Sequence, residues 1–300
     1  MPKSPSFGRI TKNGKAPLRR GKTNRSAAKK RQWTERLRVA RVAQPCFARP
    51  IITNIQRRAA VVLSALAITV ARADVPPGYE GRPFADRVHG GGAQRIPGPV
   101  FCAYYDQGGE GVAYHDTDSE NQGSGKLNPA DGSYLNEFRR NEGVDISYTK
   151  PLNDLESPCN RMKPPLGLLY VGWNKPGEWF KITVVVAEAG DYVADLLYTS
   201  QRGGAIEVDV DGSPAIQPIV IESTFDAAET IPWRQWHHWN VMRDAVVLHL
   251  PKGPSVLTVR ILKNGEMNLA TFNFRGKGTV RMGPDITALT TALPASNKAP

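Results

Sequence analysis

Residues 172–179 read GWNKPGEW and place two tryptophans, Trp173 and Trp179, on either side of a Pro-Gly turn. The residues that follow, 180–186 (FKITVVV), are largely β-branched and apolar, which is typical of a strand. The turn is therefore expected at the edge of a sheet. An indole ring in such a loop can stack on a ligand, although tryptophan in a β protein is more often buried in the core.

Apolar residues recur with period two well beyond this first strand. Four sets show the pattern: Ile182, Val184 and Val186; Ile206, Val208 and Val210; Val246, Leu248 and Leu250; Leu257, Val259 and Ile261. Turn residues such as Asp211-Gly212 separate them, and the whole predicts an all-β fold, an antiparallel sandwich or barrel. Residues 116–136 and 150–167 are rich in Gly, Asn, Asp, Ser and Pro, and we expect them to be surface loops.

Charge is distributed unevenly along the chain. Residues 1–73 hold 18 of the 39 Lys and Arg and a single acidic residue, which leaves the remainder with a net charge of −6 although the whole chain carries +11. Within this basic leader, Arg57-Arg58 precedes an apolar run, 59–70, and an A-x-A site ending at Ala73. This order is typical of a secretory signal, so we expect a secreted or periplasmic protein cleaved near Ala73.

The apolar run is too short for a permanent membrane helix, since twelve residues span about 18 Å against a hydrocarbon core of about 30 Å. We therefore predict no stable membrane span. The Lys/Arg runs of residues 1–56 are open to another interpretation, a nucleic-acid-binding arm. No folded basic domain follows them, so no nucleic-acid partner is predicted.

Four segments follow from these patterns. We predict a basic leader, disordered or helical, at 1–73, a Gly- and Pro-rich linker or irregular arm at 74–98, a β-sandwich at 99–275 and a flexible tail at 276–300. We expect a monomer without a cofactor. Signal cleavage would leave two cysteines, Cys102 and Cys159, which in an oxidising compartment either form a disulfide or remain as buried thiols.

Several blocks in order resemble the family 6 carbohydrate-binding modules and the related family 35 and 36 modules. The blocks are 105–116 (YDQGGEGVAYHD), 142–146 (EGVDI), 171–179 (VGWNKPGEW) and 233–236 (WRQW), closed by Asn268 before Phe272 and Phe274. The resemblance covers about 175 residues and implies an antiparallel jelly-roll β-sandwich of the galactose-binding-like type.

The resemblance also implies a sugar site in the loops at one end of the sandwich. Trp173 and Trp233 would grip a sugar from both faces, and Asn268 would bind its hydroxyls. The chemistry is sound, because a pyranose has C–H groups on its faces and hydroxyls at its rim. A second site on the concave sheet face would use Trp179 and Glu178, the alternative being that Trp179 is buried at the start of its strand.

One departure concerns metal. Relatives carry carboxylates that bind a structural calcium, whereas Phe101, Ala103 and Ala270 stand at those positions here. Calcium requires oxygen ligands, so the resemblance implies that apolar packing replaces this site and that no metal binds there. A disulfide between Cys102 and Cys159 would then supply the lost restraint.

These observations predict a secreted, non-catalytic protein that binds a polysaccharide or oligosaccharide. Xylan, β-glucan and cello-oligosaccharides all fit the predicted rings. One alternative is a glycoside hydrolase, or an accessory subunit of one, acting on plant or algal polysaccharide. Another is a structural or protein-binding envelope component.

A hydrolase needs two carboxylates across a cleft. The candidates are Asp106, Glu110, Asp116 and Glu178. No G-x-S-x-G elbow occurs, and we interpret His237 and His238 as sheet-surface residues of a Trp-rich strand. In that strand, Trp236 and Trp239 are expected in the core or on the sheet.

Overall fold

The structure is a computed structural model that describes residues 75–214 and 217–279. The predicted secretory signal and most of the predicted tail lie outside these residues. The described residues all belong to one compact unit. No helix among them is long and apolar enough to cross a membrane.

Strands dominate the described residues. In chain order they are β1 (Gln94–Ile96), β2 (Gly98–Phe101), β3 (Tyr114–His115), β4 (Ile146–Tyr148), β5 (Leu169–Val171), β6 (Trp179–Val186), β7 (Gly190–Ser200), β8 (Gly204–Val210), β9 (Ile219–Ile221), β10 (Asn240–Leu250), β11 (Gly253–Lys263) and β12 (Met267–Gly276). The helical pieces are single turns. They are 3-10 helices at Cys102–Tyr104 and Pro232–Arg234, a π-helical segment at Pro151–Leu155 and an irregular turn at Gly123–Leu127, in which Ser124 and Gly125 have non-helical dihedral angles.

The strands form two sheets packed face to face. The first sheet has the order β1-β6-β11-β8-β9, with β3 also on β6, and the second has the order β10-β7-β12-β5-β4, with β2 also on β12. All strand pairs are antiparallel except β1 with β6. This architecture confirms the predicted jelly-roll β-sandwich.

The period-two residues supply the core between the sheets. In the first sheet, Ile182 of β6 pairs with Leu257 of β11, which pairs in turn with Val210 of β8. From the second sheet, Leu196 and Phe272 are buried in the same core. Each such side chain contributes about 1.5–3 kcal/mol when fully buried, so the alternation that is visible in the sequence is also what holds the sheets together.

Part of the predicted linker belongs to the sandwich. β1 pairs with β6, and the Gln94 side chain donates to the Phe101 carbonyl (3.1 Å) and accepts from the Phe101 N–H (2.7 Å). Further upstream, Phe84 is buried and stacks on Tyr104 with ring centroids 5.4 Å apart. Glycines and prolines make this segment irregular, but its apolar residues Phe84 and Ile96 are buried in the core.

The registers bring the long loops to one end of the sandwich, here named the loop end. Leu269 pairs with both Val171 and Tyr198, and Tyr198 pairs with Asn240. Four strand ends are therefore level in the second sheet: the end of β5, the start of β12, the end of β7 and the start of β10. Loops 116–145, 172–178 and 222–239 lie at this end, whereas short turns such as 187–189 and 251–252 lie at the other.

The predicted disulfide is wrong, because Cys102 and Cys159 are both free thiols. Cys102 is fully buried in the 3-10 helix after β2. The loop of Cys159 is instead tied to the segment before β10. The Asn160 side chain accepts from the Trp239 N–H (2.9 Å), and the Arg161 N–H donates to the Trp239 carbonyl (3.1 Å). These bonds give the insertion an anchor away from the first strands.

Candidate functional site at the loop end

Trp173 follows β5 and has a backbone φ of 45°, in the left-handed region. That conformation is rare for a bulky residue and costs on the order of 1–3 kcal/mol. Hydrogen bonds on both sides hold it. The Gly172 N–H donates to the Asp145 carbonyl (2.9 Å), and the Asn174 side chain donates to the Met267 carbonyl (2.8 Å). The ring is partly exposed. The neighbouring structure thus forces an indole to the surface of this loop.

Trp233 lies in the 3-10 helix before β10 and is 49% exposed. Its ring stands perpendicular to that of His237, with centroids 6.3 Å apart, and Trp236 packs on His237 at 4.1 Å. Trp233 is therefore the outermost ring of a small aromatic cluster and leaves about half its surface free for a ligand.

A buried ion pair supports this 3-10 helix. Arg234 donates through Nε to Glu229 Oε2 (2.7 Å) and through Nη2 to Glu229 Oε1 (3.0 Å). Its Nη1 donates to the Leu152 carbonyl (2.8 Å), which joins the helix to the loop after β4. The hydrogen bond from Arg234 lowers the pKa of Glu229 to about 2. Three fixed donors on one planar group make a rigid mount for Trp233.

Trp173 and Trp233 lie on loops at the same end of the sandwich. The strands that carry them, β5 and β10, are separated by β12 and β7, so their ends are about 14 Å apart at the usual strand spacing. The loops project from those ends. That both rings face one binding surface and grip one sugar between them stays a prediction.

Asn268 does not reach the surface in this structure. It is 1% exposed, and its Nδ2 donates to Thr199 Oγ1 (2.8 Å) across the β12–β7 pair. Its Oδ1 lies close to Gly172, where an added Cβ would approach to 2.8 Å. Asn268 thus supports the backbone beside Trp173, and its amide nitrogen is already engaged.

Trp179 and Glu178, the predicted second pair, both have partners. Lys181 and Arg260 lie over the Trp179 ring at 5.0 and 5.7 Å, and a sugar at this ring would have to compete with these cations. Glu178 is buried. Its Oε1 accepts from the Thr117 N–H (3.2 Å) and hydroxyl (2.6 Å), and its Oε2 accepts from the Lys175 N–H (2.7 Å). Glu178 therefore ties two loops together.

Two further carboxyls near Glu178 are held partly protonated. Burial, followed by the nearby charge of Glu178, raises the pKa of Asp116 to about 7 and that of Asp145 to about 6. A raised pKa beside another carboxylate is what a glycosidase acid requires. The cavity between Asp116, Glu178 and Trp179 has a volume of only about 10 Å³, however. This volume is large enough for about one water molecule and too small for a sugar ring.

The remaining hydrolase candidates are engaged elsewhere. Asp106 is buried and accepts from the Thr183 N–H (2.8 Å) and hydroxyl (2.6 Å), and burial raises its pKa. Glu110 is exposed and pairs with His115 Nδ1 at 2.5 Å. Neither one faces a second carboxylate across a cleft within the described residues.

The Trp-rich segment before β10 is a loop with one 3-10 turn, so the interpretation of His237 and His238 as residues of a strand is wrong. Pro232 at the start of the turn prevents ladder pairing. His238 is buried, with Nδ1 at 2.9 Å from the Thr224 carbonyl. Trp239 is fully buried against Tyr170, as expected, while Trp236 stays partly exposed.

The three positions at which calcium ligands were expected all lie in the apolar core. Phe101 is 5% exposed, and Ala103 and Ala270 are fully buried. Among the described residues, no group of three or more His, Cys, Asp or Glu is placed to hold a metal ion. Independence from calcium stays a prediction.

Sequence reasoning missed the features that mount the rings: the Arg234–Glu229 pair and the bonds from Asn174 to Met267. It also missed a groove of about 440 Å³ lined by residues 119–121 and 124–126 with Arg140 and Asn141. The only signal in the sequence was the polar composition of the loop after β3. Which of its residues face a common groove depends on how the loop folds.

Comparisons with known proteins give structural matches alone. No family model and no curated protein matches the sequence. A family 35 carbohydrate-binding module from Clostridium thermocellum matches with 18% identity and a TM-score of 0.31, over 44% of this chain and 92% of the module. A family 35 module from an environmental isolate matches with 16% identity and a TM-score of 0.31, over 45% of this chain and 90% of the module.

An enzyme is matched over a smaller share of its length. The exo-beta-1,3-galactanase of Phanerochaete chrysosporium, in complex with beta-1,3-galactotriose, matches with 16% identity and a TM-score of 0.29, over 36% of this chain and 23% of the enzyme. All these identities and TM-scores are too low to indicate function. Membership of family 6 stays a prediction.

Proposed function

We propose that this protein is a non-catalytic carbohydrate-binding protein that holds a polysaccharide or oligosaccharide against Trp173 and Trp233. Two observations support the proposal: both tryptophans are at least partly exposed, and the strands next to their loops end at the same end of the sandwich. Keeping Trp173 in a left-handed conformation costs stability, and such strain tends to persist at binding sites.

The chemistry of the two rings suits a sugar. Stacking on the C–H faces of a pyranose buries apolar surface, while the sugar hydroxyls remain at the rim, where loop side chains and water can bind them. Asn268 contributes by packing beside Gly172, at the base of the Trp173 loop. This role replaces direct contact with the sugar.

Asp116 favours a second candidate function, glycoside hydrolysis, because its raised pKa suits a general acid. The small volume beside it and the full engagement of Glu178 favour binding without catalysis. Release of reducing sugar by the wild type, and its loss in Asp116→Asn, would establish the hydrolase.

Export is part of the proposal and rests on the leader alone. Mass spectrometry of the mature protein should find an N-terminus near Asp74. Recovery of the full-length chain in the cytoplasm would contradict export without bearing on sugar binding.

Affinity electrophoresis tests the proposed function directly. Xylan, mixed-linkage β-glucan and hydroxyethyl cellulose are cast separately into native gels, and retardation of the purified protein is measured. We expect at least one polysaccharide to retard the wild type and Trp233→Ala to abolish that retardation. Phe225→Ala is the matched control, since Phe225 is an aromatic residue of the same loop and is 48% exposed. Equal retardation of all three proteins would contradict the proposal.

A further inference from the structure

A polar groove lies at the loop end beside Trp173. It has a volume of about 440 Å³, within the range of small-molecule sites, and Ser119, Glu120, Asn121, Ser124, Lys126 and Arg140 are among its lining residues. No aromatic side chain lines it, so it would bind a ligand through hydrogen bonds rather than by stacking.

Gly123 connects the groove to Trp173. A Cβ added to Gly123 would lie 3.3 Å from Cζ3 of Trp173, so the indole edge rests against this glycine. The Gly123 N–H donates to Asn121 Oδ1 (2.9 Å), and the next residue, Ser124, lines the groove. The turn that contacts the ring therefore also forms the floor of the groove.

Hydrogen bonds make this floor rigid. Asn121 Oδ1 accepts from the N–H groups of Gly123, Ser124 (2.8 Å) and Ile146 (3.2 Å), and the Ser124 hydroxyl donates to the Ile146 carbonyl (3.2 Å). Both Asn121 and Ser124 are buried. The loop is thus fastened to the start of β4, and its shape does not depend on a ligand.

Two ion pairs include charged residues that line the groove. Lys126 Nζ lies 2.5 Å from Glu120 Oε2, and Arg140 Nη1 lies 2.7 Å from Glu137 Oε2. The side chains of Lys126 and Arg140 are 43% and 46% exposed, and ion pairs this exposed contribute little to stability. Each pair places a hydrogen-bond donor beside an acceptor. Two neighbouring sugar hydroxyls, one accepting and one donating, match that arrangement.

We propose that this groove is a second subsite that binds the sugar unit adjoining the one stacked on Trp173, and that its ligand is a neutral, hydroxyl-rich glycan chain. The inference rests on the proposed function. Lys126 and Arg140 are each paired with a carboxylate, that of Glu120 and that of Glu137, so neither cation is free to bind an acidic sugar. A chain of two or more units spans the ring and the groove, whereas a monosaccharide occupies the ring alone.

Chain length tests the subsite. Isothermal titration calorimetry compares glucose and xylose with cello-, xylo- and β-1,3-gluco-oligosaccharides of six units. The Lys126→Ala/Arg140→Ala double variant should bind the hexamers about tenfold more weakly, as expected for the loss of one or two hydrogen bonds, and the monosaccharides as the wild type does. Lys252→Ala is the control, an exposed and paired lysine at the opposite end of the sandwich. It should match the wild type with every ligand.

The outcomes separate the two proposals. An unchanged hexamer affinity in the double variant, or an equal loss for monosaccharide and hexamer, overturns the subsite. An affinity that falls steeply between 50 and 300 mM NaCl, with preference for oligogalacturonate, overturns the neutral ligand. Unchanged binding by Trp173→Ala and Trp233→Ala instead overturns the proposed function. Failure of every oligosaccharide to bind the wild type contradicts both.

Discussion

Arg234 and Glu229 form a buried, two-point ion pair in the turn that carries Trp233, with N–O distances of 2.7 and 3.0 Å. A third bond, from Arg234 to the Leu152 carbonyl, joins this turn to the loop after β4. A half-exposed tryptophan would lose rotational freedom on binding if its backbone were mobile. The pair removes that cost in advance by ordering the turn.

Arg234→Lys tests whether the hydrogen bonds of Arg234 hold the Trp233 turn in place. Lysine keeps the charge but cannot bond both carboxylate oxygens and the carbonyl in one plane, so we expect a lower melting temperature and weaker sugar binding. Arg202→Lys is the control, because Arg202 is exposed and contacts Glu266 at 3.4 Å through one nitrogen. Calorimetry measures the melting temperature, and affinity electrophoresis measures sugar binding. Equal melting temperatures and equal sugar binding of the two variants would show that the hydrogen bonds of Arg234 are not needed to hold the Trp233 turn.

The carboxyl of Asp116 makes stability depend on pH. Its folded pKa of about 7 lies above the value of 3.8 for a free side chain. The protonated form is therefore favoured in the folded state, and the stability it provides is lost as pH rises from about 4 through 7. Asp116→Asn keeps the oxygen that accepts from Asp118 (2.8 Å). We expect it to raise the melting temperature at pH 8 and to leave it nearly unchanged at pH 4.

Asp131→Asn is the control with the opposite sign. Asp131 accepts from Ser133 and Asn136, which lowers its pKa, so its stabilising effect is present at neutral pH and is lost as pH falls through its folded pKa. The variant should melt lower than the wild type at pH 8. A higher melting temperature for Asp116→Asn at pH 4 than at pH 8, relative to the wild type, would contradict the assignment.

The free thiols can be counted. In the chain with Cys46→Ser, denatured protein should react with two equivalents of a thiol reagent, and a reductant should leave the melting temperature unchanged. In the native state Cys102 should stay unreactive, because burial excludes the reagent and raises its pKa. A mass about 2 Da below that of the dithiol would show that the disulfide forms after all.

The sheets were predictable from the sequence because their signal is local. Alternation in β6, β8, β10 and β11 requires only that one face be apolar, and those faces are buried. β1 was not predicted, because three residues between glycines and prolines carry no period. The burial of Ile96 against β6 arises from tertiary packing.

The site was less predictable because it depends on register and loop packing. Asn268 was expected to face a sugar. Thr199 lies directly across from it on β7, and its hydroxyl oxygen accepts a hydrogen bond from the Asn268 amide. The sequence does not reveal that pairing. The placement of Trp173 and Trp233 on loops was visible, since both precede or follow turn residues. The ion pair in the Trp233 turn joins Arg234 to Glu229, and these two side chains come together only when the loop folds.

Backbone strain at Trp173 can be measured separately from the role of its ring. Glycine adopts the left-handed conformation freely, so Trp173→Gly should be about as stable as Trp173→Ala or about 1 kcal/mol more stable, although glycine normally destabilises. Urea denaturation of both variants gives the difference. A Trp173→Gly variant less stable than Trp173→Ala by about 1 kcal/mol would show that the conformation is not maintained in solution.

Titration of tryptophan variants with a glycan tests whether Trp173 and Trp233 bind sugar at the loop end. The dissociation constant of the best-retained glycan is measured by titration calorimetry for the wild type, Trp173→Ala and Trp233→Ala, each first shown to be folded by its melting transition. We predict that each variant binds more weakly by about 2 kcal/mol or more, roughly 30-fold, with a cooperative transition retained. Folded variants that bind as tightly as the wild type would contradict the claim.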